Sequence, residues 1–519
     1  MSIFNNQSRT KNAMRIALVT EICTIADLIF GFVYRSVFLS ILSTEYLGIN
    51  GLFTQLLQLL SLADLGIAGA ITFRFYKPIQ QNDVQQVGKL MNYFKAVYRI
   101  ILCVILGIGL AMLPFLGYLI NDTSTIPGDV NIRLIYLLFL LQTASSYMFA
   151  YKQTLMTADQ KEYIISACRM AGTFIRYVAQ MVLLITTRNY TLTIAINIAI
   201  NILSNYLISA YVERKYKEVF LVKGMLSKAE RSEILRDTKA CLCHKVGGVV
   251  LSSTDNLILS KSMGLVSVGL YSNYTLIISN LTKLANQLLS NMTASLGNAH
   301  AALDEKGRLR IYNNLIFLNL WIASTLTICI YVLINPFIRV WVGEGMMFGN
   351  LTVICICLQF FLEMTRQVNM SFTSASGLFV KDVYRPFIEA GLNLVVSILF
   401  VYLIGTPGVF LGTIVSCLCT VTWREPYLLF KYDFKCSAKH YITMYCSFLL
   451  VTVLACGLMS WCVEKYISIT TYGIWAVSGV AVTVGSQLLL LLFFGKWVEF
   501  AYLKSVGLKF AEKLIRRRK

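Results

Sequence analysis

Charge is scarce in this sequence. Only 14% of its 519 residues are Asp, Glu, Lys or Arg, against about 25% in soluble domains. Prolines number 7 and histidines 3, while 57% of the chain is hydrophobic. Apolar runs of about 20 residues recur from end to end, which excludes a water-soluble core. There is no Walker A sequence and no Gly-rich loop between a strand and a helix, so ATP hydrolysis by this chain is excluded. A cleavable signal peptide is also missing from the pattern. The first apolar run follows a polar start, MSIFNNQSRTKN, and continues past signal length, so it is expected to act as an uncleaved first span. Cysteine is not lacking, at 14, but the residues are scattered, mostly within apolar stretches. Cys241-x-Cys243-His244 has no matching second pair, and adjacent positions of a helix point in different directions, so no metal site is expected.

What is present is a series of apolar spans, near 14–41, 49–76, 94–120, 132–155, 163–187, 190–212, 237–261, 266–295, 311–335, 350–374, 384–404, 407–428, 440–463 and 472–495. The expected fold class is therefore an all-α polytopic membrane protein of about fourteen transmembrane helices. The formal net charge of +20 is sorted among the loops. Loop 213–236 carries Arg214, Lys215, Lys217, Lys223, Lys228, Arg231 and Arg236, and the chain ends Arg516, Arg517, Arg518, Lys519. The alternate loops STEYLG (43–48) and NDTSTIPGD (121–129) contain no cation. The positive-inside rule then puts both termini in the cytoplasm of a multi-pass protein of the cell membrane. The basic excess faces anionic lipid headgroups rather than nucleic acid.

Two stretches echo each other. FLSILSTEYLGINGLF (38–53) resembles ILSKSMGLVSVGLYSNY (258–274) at an offset of about 221 residues, with six spans between them. An even number of spans preserves orientation, so the expected arrangement is two six-helix bundles in parallel pseudo-repeat plus two C-terminal helices. The corresponding division is 1–212 for the first bundle and 213–236 for a cytoplasmic basic linker. The second bundle takes 237–428, the additional helices 429–495, and a basic cytoplasmic tail 496–519.

Polar residues inside the spans fall on faces. Thr20, Thr24, Asp27, Gly31 and Arg35 lie within roughly 80° of a helix, and Thr54, Gln58, Ser61, Asp64 and Ala68 within about 120°. Arg169, Thr173, Arg176 and Gln180 align, as do His244, Gly248, Ser252 and Asp255. Asn273, Asn280, Gln287, Asn291 and Asn298 fall within about 40°, and Glu363 and Gln367 lie on the tenth span near Arg366. A charge facing lipid costs about 2.5–3.5 kcal/mol, so these faces meet protein or water. Interhelical hydrogen bonding is one reading of any single Asn or Thr; stripes on several helices share a hydrated cavity in the other. Asp64, among the small residues of SLADLGIAGAI, is then a cavity-lining or gating charge. Arg35 and Asp255 occupy equivalent positions and can pair, as structure or as a gate. Amide walls suit a neutral ligand rich in hydroxyls, and a mid-membrane arginine suits phosphate. Arg176 is alternatively a counterion to a carboxylate such as Asp27.

EYLGINGLFTQLLQLLSLADLGIAGAI followed by YKPI, then LMNYFKAVYRII, resembles the oligosaccharide repeat-unit flippases (Wzx type) of bacterial capsule and exopolysaccharide pathways. VGLYSNYTLI, ASLGN and SASGLFVKDVYRPFIEAGLNLVVSILFVYLIGTPGVFLGTIVS extend the resemblance over most of the chain. It implies the superfamily of multidrug extruders and the lipid II flippase, alternating access, and a polyprenyl-diphosphate-linked glycan carried from the inner to the outer leaflet. It further implies diphosphate binding by Arg176, Arg169 and Arg35, glycan contacts by Asn273, Asn280, Gln287 and Asn291, and coupling or gating by Asp27, Asp64, Asp255 and Glu363. No catalytic residue and no cofactor are implied; H+ or Na+ coupling stays open. Pathway partners would be a glycosyltransferase and a polymerase. An organic-cation extruder of the same superfamily is the competing reading, although cavity arginines and amides argue against it. A glycan-processing enzyme is disfavoured, because the external loops near 121–131 and 336–349 are short.

Overall fold

The computed structural model describes the backbone of residues 9–60, 67–120, 126–293, 304–502 and 504–505; within these, the side chains of 9–18, 67–73, 235–252, 288–293 and 379–380 lie outside the description. Asp64 therefore falls outside the described residues, as does the side chain of Asn291. The described chain is helical, without a strand, and eleven of its helices are long and apolar enough to cross a membrane. In lipid every backbone N–H and C=O must be satisfied within the segment, and helices do this.

The chain divides into two compact units, Met1–Ser272 and Asn273–Lys519. The first holds α1 (Arg9–Ile41), α2 (Thr44–Leu60), α3 (Ile67–Gln80), α4 (Val84–Ala111), α5 (Ile132–Ala158), α6 (Glu162–Thr187), α7 (Tyr190–Lys215), the short α8 (Lys217–Leu221) and most of α9 (Lys228–Thr293). Polar side chains set the starts: Asp83 accepts from the Gln86 N–H, Asn131 from Arg133 and Leu134, and Asn189 from Leu192. Each satisfies donors that the first helical turn leaves free, worth about 1 kcal/mol per cap. α9 contains one break, at Gly264 (φ 81°, ψ 175°), a conformation that glycine alone adopts readily. The core of this unit is apolar and aromatic, including Phe38, Leu52, Phe53, Phe94, Tyr136 and Tyr190, all buried.

α2 and the stretch of α9 just after the Gly264 break press closely together. A β-carbon on Gly48 would stand 2.1 Å from the Leu265 carbonyl oxygen, and one on Gly269 would stand 2.4 Å from that of Thr44. The basic segment after α7 is docked rather than loose. Asn92 donates to the Val222 and Gly224 carbonyls, and Ser227 and Glu230 exchange bonds with each other's backbone N–H at the start of α9. That reciprocal pair is a capping box.

The second unit holds α10 (Glu305–Val342), α11 (Asn350–Ala375), α12 (Arg385–Ile404), α13 (Thr406–Cys419), α14 (Val421–Leu428), α15 (Lys439–Tyr466) and α16 (Tyr472–Phe494). Gly405, at φ 72°, lets α12 turn directly into α13. α10, α15 and α16 pack through Ile328, Val332, Leu333, Ala455, Val463 and Val482. Their outer faces, Leu450, Leu454, Val480 and Leu488 among them, are exposed and apolar, as a lipid-facing surface requires.

Candidate functional site: a polar groove among α2, α5, α6 and α7

Within the first unit, one face of α5 forms the floor of two adjoining hollows. Gln142, Ser146, Ala150 and Gln153 follow one another at helical spacing along it. The larger hollow, about 420 Å³, is walled by Thr54, Leu57 and Gln58 of α2 and by Phe139, Gln142, Thr143, Ser146, Tyr147 and Ala150 of α5. The smaller, about 310 Å³, shares Ser146 and Ala150. It is closed by Arg169, Gly172, Thr173 and Arg176 of α6 and by Asn201, Ser204 and Asn205 of α7. α6 reaches α7 closely because Gly172 has no β-carbon; one there would stand 2.4 Å from Ser204 Oγ. From Gln142 to Gln153 the floor runs about 16 Å at 1.5 Å per residue.

The narrow end is wired by a chain of hydrogen bonds. Arg169 Nη2 donates to Gln153 Oε1 (2.5 Å), Gln153 Nε2 to Asn205 Oδ1 (3.3 Å), and Asn205 Nδ2 to Asn201 Oδ1 (2.9 Å). These bonds fix the amides and hold the Arg169 guanidinium in place. Arg176 differs. Its Nε is buried without a hydrogen-bond partner, and among the described residues its side chain makes no ion pair. Its guanidinium lies 5.1 Å from the centre of the Tyr177 ring, a cation–π contact. Among the described residues no ion pair joins Arg176 to Asp27, the alternative partner expected for it. A buried charged donor without a partner costs on the order of 1–3 kcal/mol or more. Among the described residues the lining holds two cations and no carboxylate.

Of the residues singled out in the sequence, Arg169, Thr173 and Arg176 come together here with Thr54 and Gln58. Arg35 does not line the groove; its Nη1 donates to Ser272 Oγ at 2.7 Å. Asp27 is exposed on α1, and Asp255 is buried in α9. Asn273, Asn280 and Gln287 belong to the second unit. Asn273 and Asn280 are buried, and Asn280 donates to the Leu276 carbonyl of its own helix at 2.7 Å. Glu363 accepts from Gln359 Nε2 at 3.0 Å.

Two groups of polar residues escape the reading by faces. One is the α5 floor. The other lies in the second unit, where Arg385 bonds Asp382 and Glu389, both at 2.5 Å, and Arg366 bonds Glu425 at 3.0 Å. Arg424 reaches Asp382 at 3.4 Å. Asp382, Arg385, Glu389 and Glu425 are all buried, so the cluster ties α11, α12 and α14 together at one end.

No protein-family model and no curated protein sequence matches this chain. Solved structures do. The lipid II flippase MurJ, in an inward closed conformation, aligns over 91% of this chain and 99% of its own, with TM-score 0.63 and 14% identity. A Vibrio cholerae MATE transporter, VcmN, covers 82% of this chain and 97% of its own, with TM-score 0.55 and 14% identity. An outward-facing MATE-family multidrug resistance transporter of the MOP superfamily covers 86% and 97%, with TM-score 0.52 and 12% identity. The fold is that of the MOP-superfamily transporters. These MOP-fold proteins are transporters rather than enzymes, and the apolar helices here make a multi-pass membrane protein.

Proposed function

We propose that this chain is a flippase for polyprenyl-diphosphate-linked oligosaccharide repeat units, moving them from the inner to the outer leaflet of the cytoplasmic membrane by alternating access, for capsule or exopolysaccharide synthesis. One observation carries the reading: Arg176 offers an unpartnered buried donor in a groove whose described lining has arginines, amides and hydroxyls but no carboxylate. A diphosphate satisfies that donor and neutralises both arginines, since a guanidinium's planar fork matches phosphate oxygens. The MurJ likeness supports the same class of cargo, a lipid with a polar headgroup.

On this reading both termini face the cytoplasm, and Arg169 and Arg176 receive the diphosphate. Arg35 and the amides Asn273, Asn280, Gln287 and Asn291 are further contacts along the cargo's route. Asp27, Asp64, Asp255 and Glu363 are the groups available for gating or for H+ or Na+ coupling. The initiating glycosyltransferase and the polymerase are the pathway partners. The second reading, organic-cation export, is favoured by the MATE likenesses. The groove's two fixed positive charges repel such a cargo.

The test is transbilayer movement of a polyprenyl-diphosphate oligosaccharide in proteoliposomes, comparing wild type with Arg176→Ala. Movement by wild type and loss in the folded variant support the flippase. Wild type that moves no glycolipid yet exports an organic cation overturns it. Unchanged movement by Arg176→Ala leaves the flippase standing and removes Arg176 from the phosphate site.

A further inference from the structure

The larger hollow asks for something the arginines do not supply. Among the described residues the side-chain amides of Gln58 and Gln142 and the hydroxyl of Thr54 make no hydrogen bond, although all three line the cavity. By contrast, Thr143 Oγ1 is committed to the Phe139 carbonyl at 3.1 Å and Ser146 Oγ to that of Gln142 at 3.1 Å. Free amides at the depth of a membrane span need water or a ligand, because lipid offers no partner. Among the described residues no charged side chain lines this hollow, whereas two arginines line its neighbour. Phe139 and Tyr147 add ring surface beside the amides.

We infer that the hollow between α2 and α5 is a separate subsite for an uncharged, hydroxyl-rich group: the sugar next to the phosphates. The inference rests on the flippase reading and divides its site in two, with the arginine end for anion and the glutamine end for neutral polyol. Gln58 and Gln142 are the specificity-determining residues. Each amide presents donors and an acceptor, which matches hydroxyls that do both, and a volume of about 420 Å³ falls within the ordinary range for small-ligand sites. The shared Ser146 and Ala150 make the two ends continuous, so one molecule spans both. A sugar bearing a carboxylate or an ammonium would find no opposite charge among the described residues of this hollow.

The test is binding to the purified full-length protein in nanodiscs, with two probes: bare polyprenyl diphosphate, and the same lipid carrying a neutral disaccharide. Wild type is expected to bind the glycosylated lipid about ten- to hundredfold more tightly, as a few added hydrogen bonds allow. Gln58→Leu with Gln142→Leu is expected to erase that margin while leaving the bare lipid's affinity unchanged, which also shows that the variant is folded. Equal binding of the two lipids by wild type overturns the subsite and leaves the diphosphate site intact. So does an equal loss for both probes in the leucine pair when Gln58→Met with Gln142→Met, closer in shape, repeats it. If wild type binds neither lipid, the flippase reading itself fails and the subsite with it.

Discussion

Gly48 and Gly269 exchange the same contact. Each presents a bare α-carbon to the backbone carbonyl of a residue four positions before the other: Leu265 before Gly269, Thr44 before Gly48. The glycines are 221 residues apart (269 − 48), the offset at which their two segments resemble each other in sequence. Small residues are how membrane helices approach so closely.

Valine at either glycine must push a backbone aside, since the nearest obstructing atom in each case is a carbonyl oxygen. Gly48→Val and Gly269→Val should each lower stability by roughly 1–3 kcal/mol, as overpacked contacts do. Thermal unfolding in detergent reads this directly. An unshifted transition in both variants would show that the helices can separate at no cost.

Arg176→Gln should do two things at once. It removes a half-buried charge whose buried Nε has no partner, so the protein should gain about 1 kcal/mol of stability. Glycolipid movement should fall. A residue serving only structure would show the opposite sign in the unfolding experiment.

The buried cluster of the second unit gives a sharp contrast. Arg385→Ala removes the shortest bonds of Asp382 and Glu389 and one partner of Glu425, leaving Arg424 and Arg366 to face three buried carboxylates. Breaking a buried pair from one side costs about 3–5 kcal/mol. Adding Glu389→Gln to Arg385→Ala should recover part of the loss, measured as a coupling in a double-mutant cycle.

Acid should loosen the docked basic segment through Glu230. Its carboxylate accepts from the Ser227 N–H and from Gln86 Nε2, both at 2.8 Å, and with Lys89 nearby these hold its pKa below the usual carboxylate value. A depressed folded pKa adds stability above the unfolded pKa and loses it as pH falls through the folded one. The stability difference between wild type and Glu230→Gln should therefore be full at neutral pH and vanish on acidification. A difference that does not change with pH would remove Glu230 from the capping box.

Much of the site is legible in the residues. The Arg169–Arg176 stripe and the Thr54–Gln58 face stand out because a few polar residues at helical period interrupt an apolar background. The α5 floor does not. Gln142, Ser146 and Gln153 share their helix with Thr143, Ser145, Tyr147 and Lys152, so polarity is spread around it and no single face is marked. The Arg385 cluster is invisible for another reason: Glu389 is one turn away, but Glu425 and Arg366 arrive from other helices at no fixed spacing. Segment 213–236 reads as a basic linker, yet SKAE (227–230) is a visible capping-box signature for the start of α9.

The unpartnered donor of Arg176 has one further consequence, which concerns leakage. A groove of amides and guanidinium without a ligand fills with water, and water at that depth is a path for small ions across a membrane that must hold its gradients. The fixed positive charges of Arg169 and Arg176 stand beside that path. They raise an electrostatic barrier to protons and sodium, as cationic residues do in water pores. On the proposed reading, the arginines that receive an anionic headgroup thus also keep the empty protein from becoming a hole.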